Sequence, residues 1–203
     1  VVRPDGRGRR RLTRSGPGID FDPDFSPDGN RIGFRSSRGQ YARDRYRIGL
    51  EAIRVVDVRT RKQRQIQPRT GGLFPAWSPD GKQIAFSGLR SRGGPVDTIQ
   101  LMRPDGGDLV DLDVPGEGAA WSPDGESIAI GSHPGDGNWA VWTMRRDGSD
   151  LRHLTHPVLR PPAGAHGDYP ADWSPDDSQI LFSSEAQGDR ELFVINADGT
   201  GRR

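Results

Sequence analysis

Four consecutive units of four antiparallel strands, in an all-β chain, are what this sequence predicts, and three observations predict them. One phrase occurs four times: Phe25-Ser26-Pro27-Asp28-Gly29, Trp77-Ser78-Pro79-Asp80-Gly81, Trp121-Ser122-Pro123-Asp124-Gly125 and Trp173-Ser174-Pro175-Asp176-Asp177, at intervals of 52, 44 and 52 residues. Each copy runs into an alternating apolar stretch, Ile32-Gly33-Phe34, Ile84-Ala85-Phe86, Ile128-Ala129-Ile130 and Ile180-Leu181-Phe182, as strands do. A β-rich segment ending in a turn comes next: 53–58 before Arg59-Thr60, 98–102 before Asp105-Gly106, 140–144 before Asp147-Gly148 and 191–195 before Asp198-Gly199. Four antiparallel strands repeated at this spacing make the blade of a β-propeller.

Each blade begins with a strand that carries the aromatic into the first turn, so the blade cores start near residues 19, 71, 115 and 167 of one domain spanning 1–203. The turn chemistry is specific. Proline presets φ at the first central position, aspartate tolerates the second, and glycine supplies positive φ where the next strand starts. Blade 4 has Asp177 in the glycine slot, which predicts strain or a slightly different turn there. The aromatic before each turn is expected in the core, packed between neighbouring blades. Fourth strands are predicted at 63–67, 109–114 and 151–155.

Composition agrees with short, half-buried strands. Only 32% of the residues are hydrophobic, net charge is +1, and the chain holds 28 glycines and 17 prolines. There is no cysteine, which excludes a disulfide framework and a cysteine-built zinc site and leaves the compartment open. No run reaches the roughly 18 apolar residues of a membrane helix. The first residues lack the apolar stretch of a signal peptide, and the chain does not start with methionine, so an export signal upstream stays open.

At the phrases aromatic-Ser-Pro-Asp-Gly, Ile84-Ala85-Phe86-Ser87 and Leu192-Phe193-Val194-Ile195-Asn196-Ala197-Asp198-Gly199, the sequence resembles the TolB-like, WD-repeat-like propeller repeat, over nearly the whole chain. The same repeat occurs in propeller domains of prolyl-oligopeptidase-type and tricorn-type peptidases. The resemblance implies rings of six or more blades, association with a protein partner at the bacterial cell envelope, and a periplasmic or extracellular location.

Both ends fall in the same hairpin: Asp198-Gly199-Thr200-Gly201-Arg202-Arg203 aligns with Asp5-Gly6-Arg7-Gly8-Arg9-Arg10. Two arrangements follow. The N-terminal strand clasps the outer edge of blade 4 and closes a four-blade ring, or the blades are part of a larger propeller whose open faces need missing blades, a homodimer or a partner domain. The family's usual blade number favours the second.

Turns between first and second strands are uniformly tight, whereas connections on the opposite face vary, and loops on a rigid scaffold carry function. Two long ones supply the candidate partner-binding residues. Tyr41, Arg43, Arg45, Tyr46 and Arg47 lie in 38–50, and His156, Arg160, His166, Asp168 and Tyr169 lie in 156–169. Arginine and tyrosine are favoured at interface hot spots.

Asp20, Asp22, Asp24 and Asp28 alternate like a calcium loop, but Phe25 and Arg31 stand where an EF-hand needs glycine and glutamate. A looser site at Asp20 and Asp22 competes with pairing to nearby arginines, and His153, His156, His166 and Asp168 would meet at a metal only if the loop folds back. Arg7, Arg9, Arg10, Arg11 and Arg14 are better explained as charged protection of an outer strand than as a nucleic-acid patch. No nucleophile elbow, phosphate loop or His-Glu-x-x-His occurs, and no cofactor or catalytic residue is assigned. The leading expectation is a non-catalytic propeller that binds a protein or peptide. Its rivals are the substrate-gating propeller of a serine peptidase and a metal-dependent propeller lactonase or lyase.

Overall fold

A computed structural model describes residues 1–13, 18–37, 52–66, 71–89, 97–133, 139–155, 167–185 and 189–203. All regular structure in them is β. Blade 1 holds β1 (Asp20–Phe25), β2 (Arg31–Ser36), β3 (Ala52–Asp57) and β4 (Gln63–Gln65). Blade 2 holds β5 (Gly72–Trp77), β6 (Ile84–Leu89), β7 (Asp97–Met102) and β8 (Val110–Pro115). Blade 3 holds β9 (Glu117–Trp121), β10 (Ser127–Ser132), β11 (Ala140–Arg145) and β12 (Arg152–His153), and blade 4 holds β13 (Asp168–Trp173), β14 (Gln179–Ser184) and β15 (Glu191–Asn196). Each sheet is antiparallel with its strands in chain order.

The core lies in the seams between blades. Alternation sends successive side chains to opposite faces, and the middle strands use it asymmetrically. Ile84 and Phe86 reach back to Ile53, Val55 and Ile66 of blade 1, while Ala85 joins Trp121, Ile128 and Ile130 of blade 3. The next seam repeats this: Ile180 and Phe182 pack on Ala129, Val141 and Leu154. Small residues leave room for the large ones opposite. A Cβ on Gly33 would stand 3.1 Å from Nε1 of Trp77.

Of the four aromatics, two are buried as expected, Trp173 is half-buried and Phe25 is exposed. Trp77 and Trp121 are 5% and 7% exposed, whereas Phe25 is 51% exposed, with no first strand of a preceding blade over it among the described residues. The indoles also tie neighbouring blades together: Nε1 of Trp121 donates to the Ala76 carbonyl (3.2 Å) and Nε1 of Trp173 to that of Ala120 (3.1 Å). In each first turn the serine, to which sequence reasoning gave no role, is the organiser. Ser122 Oγ donates to the Asp124 carboxylate (2.6 Å) and accepts the Ser127 N–H (2.9 Å), and Ser26, Ser78 and Ser174 repeat the pattern. That bond chiefly holds the carboxyls of Asp28 and Asp176 down to about 2. Asp177 takes the same left-handed conformation as the glycines (φ 60° against 68°, 68° and 75°), so the turn is preserved. Its carboxylate accepts the N–H of Asp124 across the seam (3.1 Å).

The ring does not close. Arg203 exchanges backbone hydrogen bonds with Val194 (2.9 and 3.0 Å), so the C-terminal residues themselves begin the outer strand of blade 4. Residues 1–13 lie against blade 1 instead, with Leu12 on Ile32, Phe34 and Val56 and Arg10 donating to the Val58 carbonyl (2.6 Å). Leu12 holds the place that Ile66, Val114 and Leu154 hold in the other seams. The clasped four-blade arrangement is therefore corrected in favour of an open arc.

Candidate binding face and central channel

The four first strands are neighbours around one channel of about 380 Å³, to which Asp22, Asp24, Phe74, Ala119 and Asp172 contribute. Each first strand has an irregular register where it meets the second. At the third residue before the aromatic, Asp22, Phe74 and Gly118 have φ of 47°, 52° and 66°. Only Gly118 adopts this without steric cost. Pro170 holds that position in blade 4, and since its ring fixes φ near −65°, the extra residue there falls between Pro170 and Asp172.

The channel wall is acidic. Burial raises the pKa of Asp24 and the nearby Asp172 carboxylate adds to this, opposed by the Trp77 N–H that Asp24 accepts (2.6 Å). Asp22 is 3.2 Å from Arg35 Nε, and that guanidinium lies 4.5 Å and 5.5 Å from the Phe21 and Phe74 ring centres. Asp20 accepts from Ser36 Oγ (2.8 Å). Both aspartates weighed as a loose metal site thus have protein partners.

Where β9 and β13 begin, next to the channel-lining Gly118 and Pro170, the mouth of the channel gathers residues that no motif announced. Tyr169 stacks on Trp139 (5.1 Å, 25°), and His133 meets the same indole edge-on (4.5 Å). A Cβ on Gly131 would stand 3.1 Å from the Tyr169 ring and 3.5 Å from both Trp139 and the Glu117 carbonyl, so all four meet there. The half-buried Glu117 has its pKa raised by burial and by Asp97, which His133 and Arg35 partly offset. Burial raises Asp97 too. Neither carboxylate has a hydrogen bond or ion pair among the described residues. Tyr169 is pushed up to about 12, by burial first and by Glu117 next.

A raised carboxyl makes a signed prediction. Ionising Glu117 costs more in the folded than in the unfolded chain, so its favourable contribution is complete below its ordinary value and is lost as pH rises through the raised one. Glu117→Gln should therefore gain stability relative to the parent as pH is raised through and above the ordinary carboxyl range. Urea midpoints across that range check this, and a difference that does not change with pH contradicts it.

Of the sequence-derived candidates, Tyr41, Arg43, Arg45, Tyr46, Arg47, His156, Arg160 and His166 lie outside the described residues. Tyr169 is on the mouth. Asp168, 1% exposed, is instead at the buried start of β13, its N–H donating to the Trp139 carbonyl (2.9 Å) and its carboxylate 3.7 Å from Arg202. His153 stacks on Trp142 (4.3 Å) on the outer strand of blade 3, whereas Asp168 belongs to the first strand of blade 4. Among the described residues no three of His, Asp and Glu are grouped as metal ligands, and no helix is long and apolar enough to cross a membrane. Glu117, Asp97, His133 and Trp139 escaped sequence reasoning because they come from different parts of blades 2 and 3 and share no spacing.

Four-stranded antiparallel blades set side by side around a channel lined by their first strands define a β-propeller, here a partial one. The sequence profile of the TolB beta propeller domain matches residues 45–203, and the chain belongs to that family. No curated protein matches the sequence. Among solved structures, a protein assigned as TolB from Agrobacterium tumefaciens is similar with TM-score 0.74 and 22% identity, over 96% of this chain and 64% of that one. The tricorn protease is similar with TM-score 0.69 and 16% identity, over 98% of this chain and 19% of that one. An oligogalacturonate lyase in complex with manganese is similar with TM-score 0.66 and 17% identity, over 94% and 54%. This chain therefore spans less than two thirds of each, and the likeness at these identities is one of fold.

Proposed function

We propose that this propeller is a non-catalytic binding scaffold that receives a basic segment of a protein or peptide partner at the loop-rich mouth of its channel. The observation that carries this reading is the pair of half-buried carboxylates, Glu117 and Asp97, without hydrogen-bond partners among the described residues and beside the stacked Trp139 and Tyr169 rings. A lysine or arginine side chain answers both features, since it neutralises the carboxylates and is attracted to aromatic faces. The acidic channel below, with Asp24 and Asp172, suits the same charge. Membership of the TolB family supports a setting at the bacterial cell envelope, periplasmic or extracellular.

Titration with labelled hexalysine and hexaglutamine peptides tests this. Hexalysine should bind and hexaglutamine should not, and Glu117→Gln should weaken hexalysine about tenfold, the equivalent of one charge-assisted hydrogen bond. Binding should also fade as pH drops through the raised pKa values of Glu117 and Asp97. Hexalysine affinity unchanged by Glu117→Gln would sink the assignment of the mouth.

A further inference from the structure

The seam between residues 11–13 and blade 1 is built unlike the other three. On the third strand of each blade, the residue opposite the bulky middle of the second strand faces the preceding unit. That residue is Gln100 in blade 2, Trp142 in blade 3 and Phe193 in blade 4, opposite Phe86, Ile130 and Phe182. Trp142 and Phe193 pack into the clusters that hold the seams between blades 2 and 3 and between blades 3 and 4. Blade 1 has Arg54 there, opposite Phe34.

Around Arg54 the seam opens into a cavity of about 930 Å³ lined by Arg11, Arg61 and Lys62 as well, with Thr13 and Thr60, and no carboxylate is among its described lining residues. Arg54 Nε is buried and has no hydrogen-bond partner among the described residues. In the adjoining turn one carboxylate oxygen of Asp57 accepts both the N–H and the Oγ1–H of Thr60 (2.6 and 2.7 Å). Arg61 is fixed in the left-handed region (φ 60°), with its N–H on the Asp57 carbonyl (2.9 Å).

We propose that this seam binds an acidic polypeptide segment, whose carboxylates pair with Arg54, Arg61 and Lys62. Planar guanidinium groups match carboxylates two bonds at a time, and a buried unpaired Nε is costly until such a partner arrives. The cavity falls in the range that takes a ligand of drug size, about 300–1,000 Å³, which exceeds the needs of one small oxyanion. The site lies on a different seam from the channel mouth, so loss of hexalysine binding leaves it standing.

The test is fluorescence anisotropy of labelled hexaglutamate with the full chain, with hexaglutamine as neutral comparator and inorganic phosphate as competitor. Hexaglutamate should bind, hexaglutamine should not, and Arg54→Gln should weaken binding about tenfold or more. Arg61→Gln, on the turn, gives a second variant should Arg54→Gln unfold, and it should weaken binding similarly. Arg103→Gln, a control at an exposed arginine of blade 2 paired with Asp105 and Asp108, should leave binding unchanged. No hexaglutamate binding, binding indifferent to Arg61→Gln, or displacement of the peptide by an equal concentration of phosphate each overturns the proposal.

Discussion

Trp121→Ala is expected to lower stability by about 3–5 kcal/mol, as truncation of a buried large aromatic does. Trp121 is packed between Ala85, Ile99 and Leu101 of blade 2 and Ile128, Ile130 and Met144 of blade 3. Its indole N–H reaches the Ala76 carbonyl, and the Arg146 guanidinium lies 6.0 Å from the ring while donating to Gln83 Oε1 (2.8 Å). Removal leaves a cavity, an unmet carbonyl and an arginine without its platform, all in one seam. A lower urea midpoint with an unchanged slope is the expected readout, and a loss under about 1 kcal/mol would contradict the packed seam. Phe25→Ala is the internal comparison. It holds the same place in the repeat but stands half exposed, so its loss should stay within about 1 kcal/mol.

Gly106→Ala should be nearly as damaging for a different reason. Gly106 has φ 88°, and a Cβ there would lie 2.2 Å from the Ile66 carbonyl oxygen, a backbone atom of blade 1 that cannot swing aside. Left-handed strain costs about 1–3 kcal/mol, and relief of an overpacked contact adds about as much again. A total near 3 kcal/mol or more is expected. Gly6 has a similar φ of 77° with nothing within 4 Å of its missing Cβ, so Gly6→Ala should cost only the strain. Equal losses for the two variants, read from thermal unfolding, would show that the contact with blade 1 does not matter.

The two glycines belong to the same Asp-Gly turn in the repeat, and nothing local distinguishes them. The repeat itself was plain because its turns are local chemistry: Ser-Pro-Asp-Gly sets backbone angles within four residues, and alternation assigns the next strand. Aromatic burial was legible too at Trp77 and Trp121, but it fell short at Trp173 and failed at Phe25, because burial depends on a neighbouring blade rather than on the residue alone. Two of the fourth strands, Gln63–Gln65 and Arg152–His153, are shorter than expected, whereas Val110–Pro115 reaches the expected length.

The site was far less legible. Asp168 and Tyr169 are adjacent in sequence, yet strand alternation buries one against Arg202 and turns the other onto Trp139. Glu117 and Asp97 sit on different blades, and only the approach of β9 to β7 makes them perturb one another. Arg54 reads as one arginine among many until the strand register places it where blades 3 and 4 have aromatic rings.

Turn type, strand alternation and blade count follow from short-range sterics and hydrogen bonding, and these the order of residues dictates without further help. Whether the arc closes, which aromatic stays exposed, and which charges meet at the mouth and in the first seam depend on how whole sheets pack. Packing brings together side chains that are tens of residues apart and sets the burial that shifts their ionisation, and no local pattern encodes either.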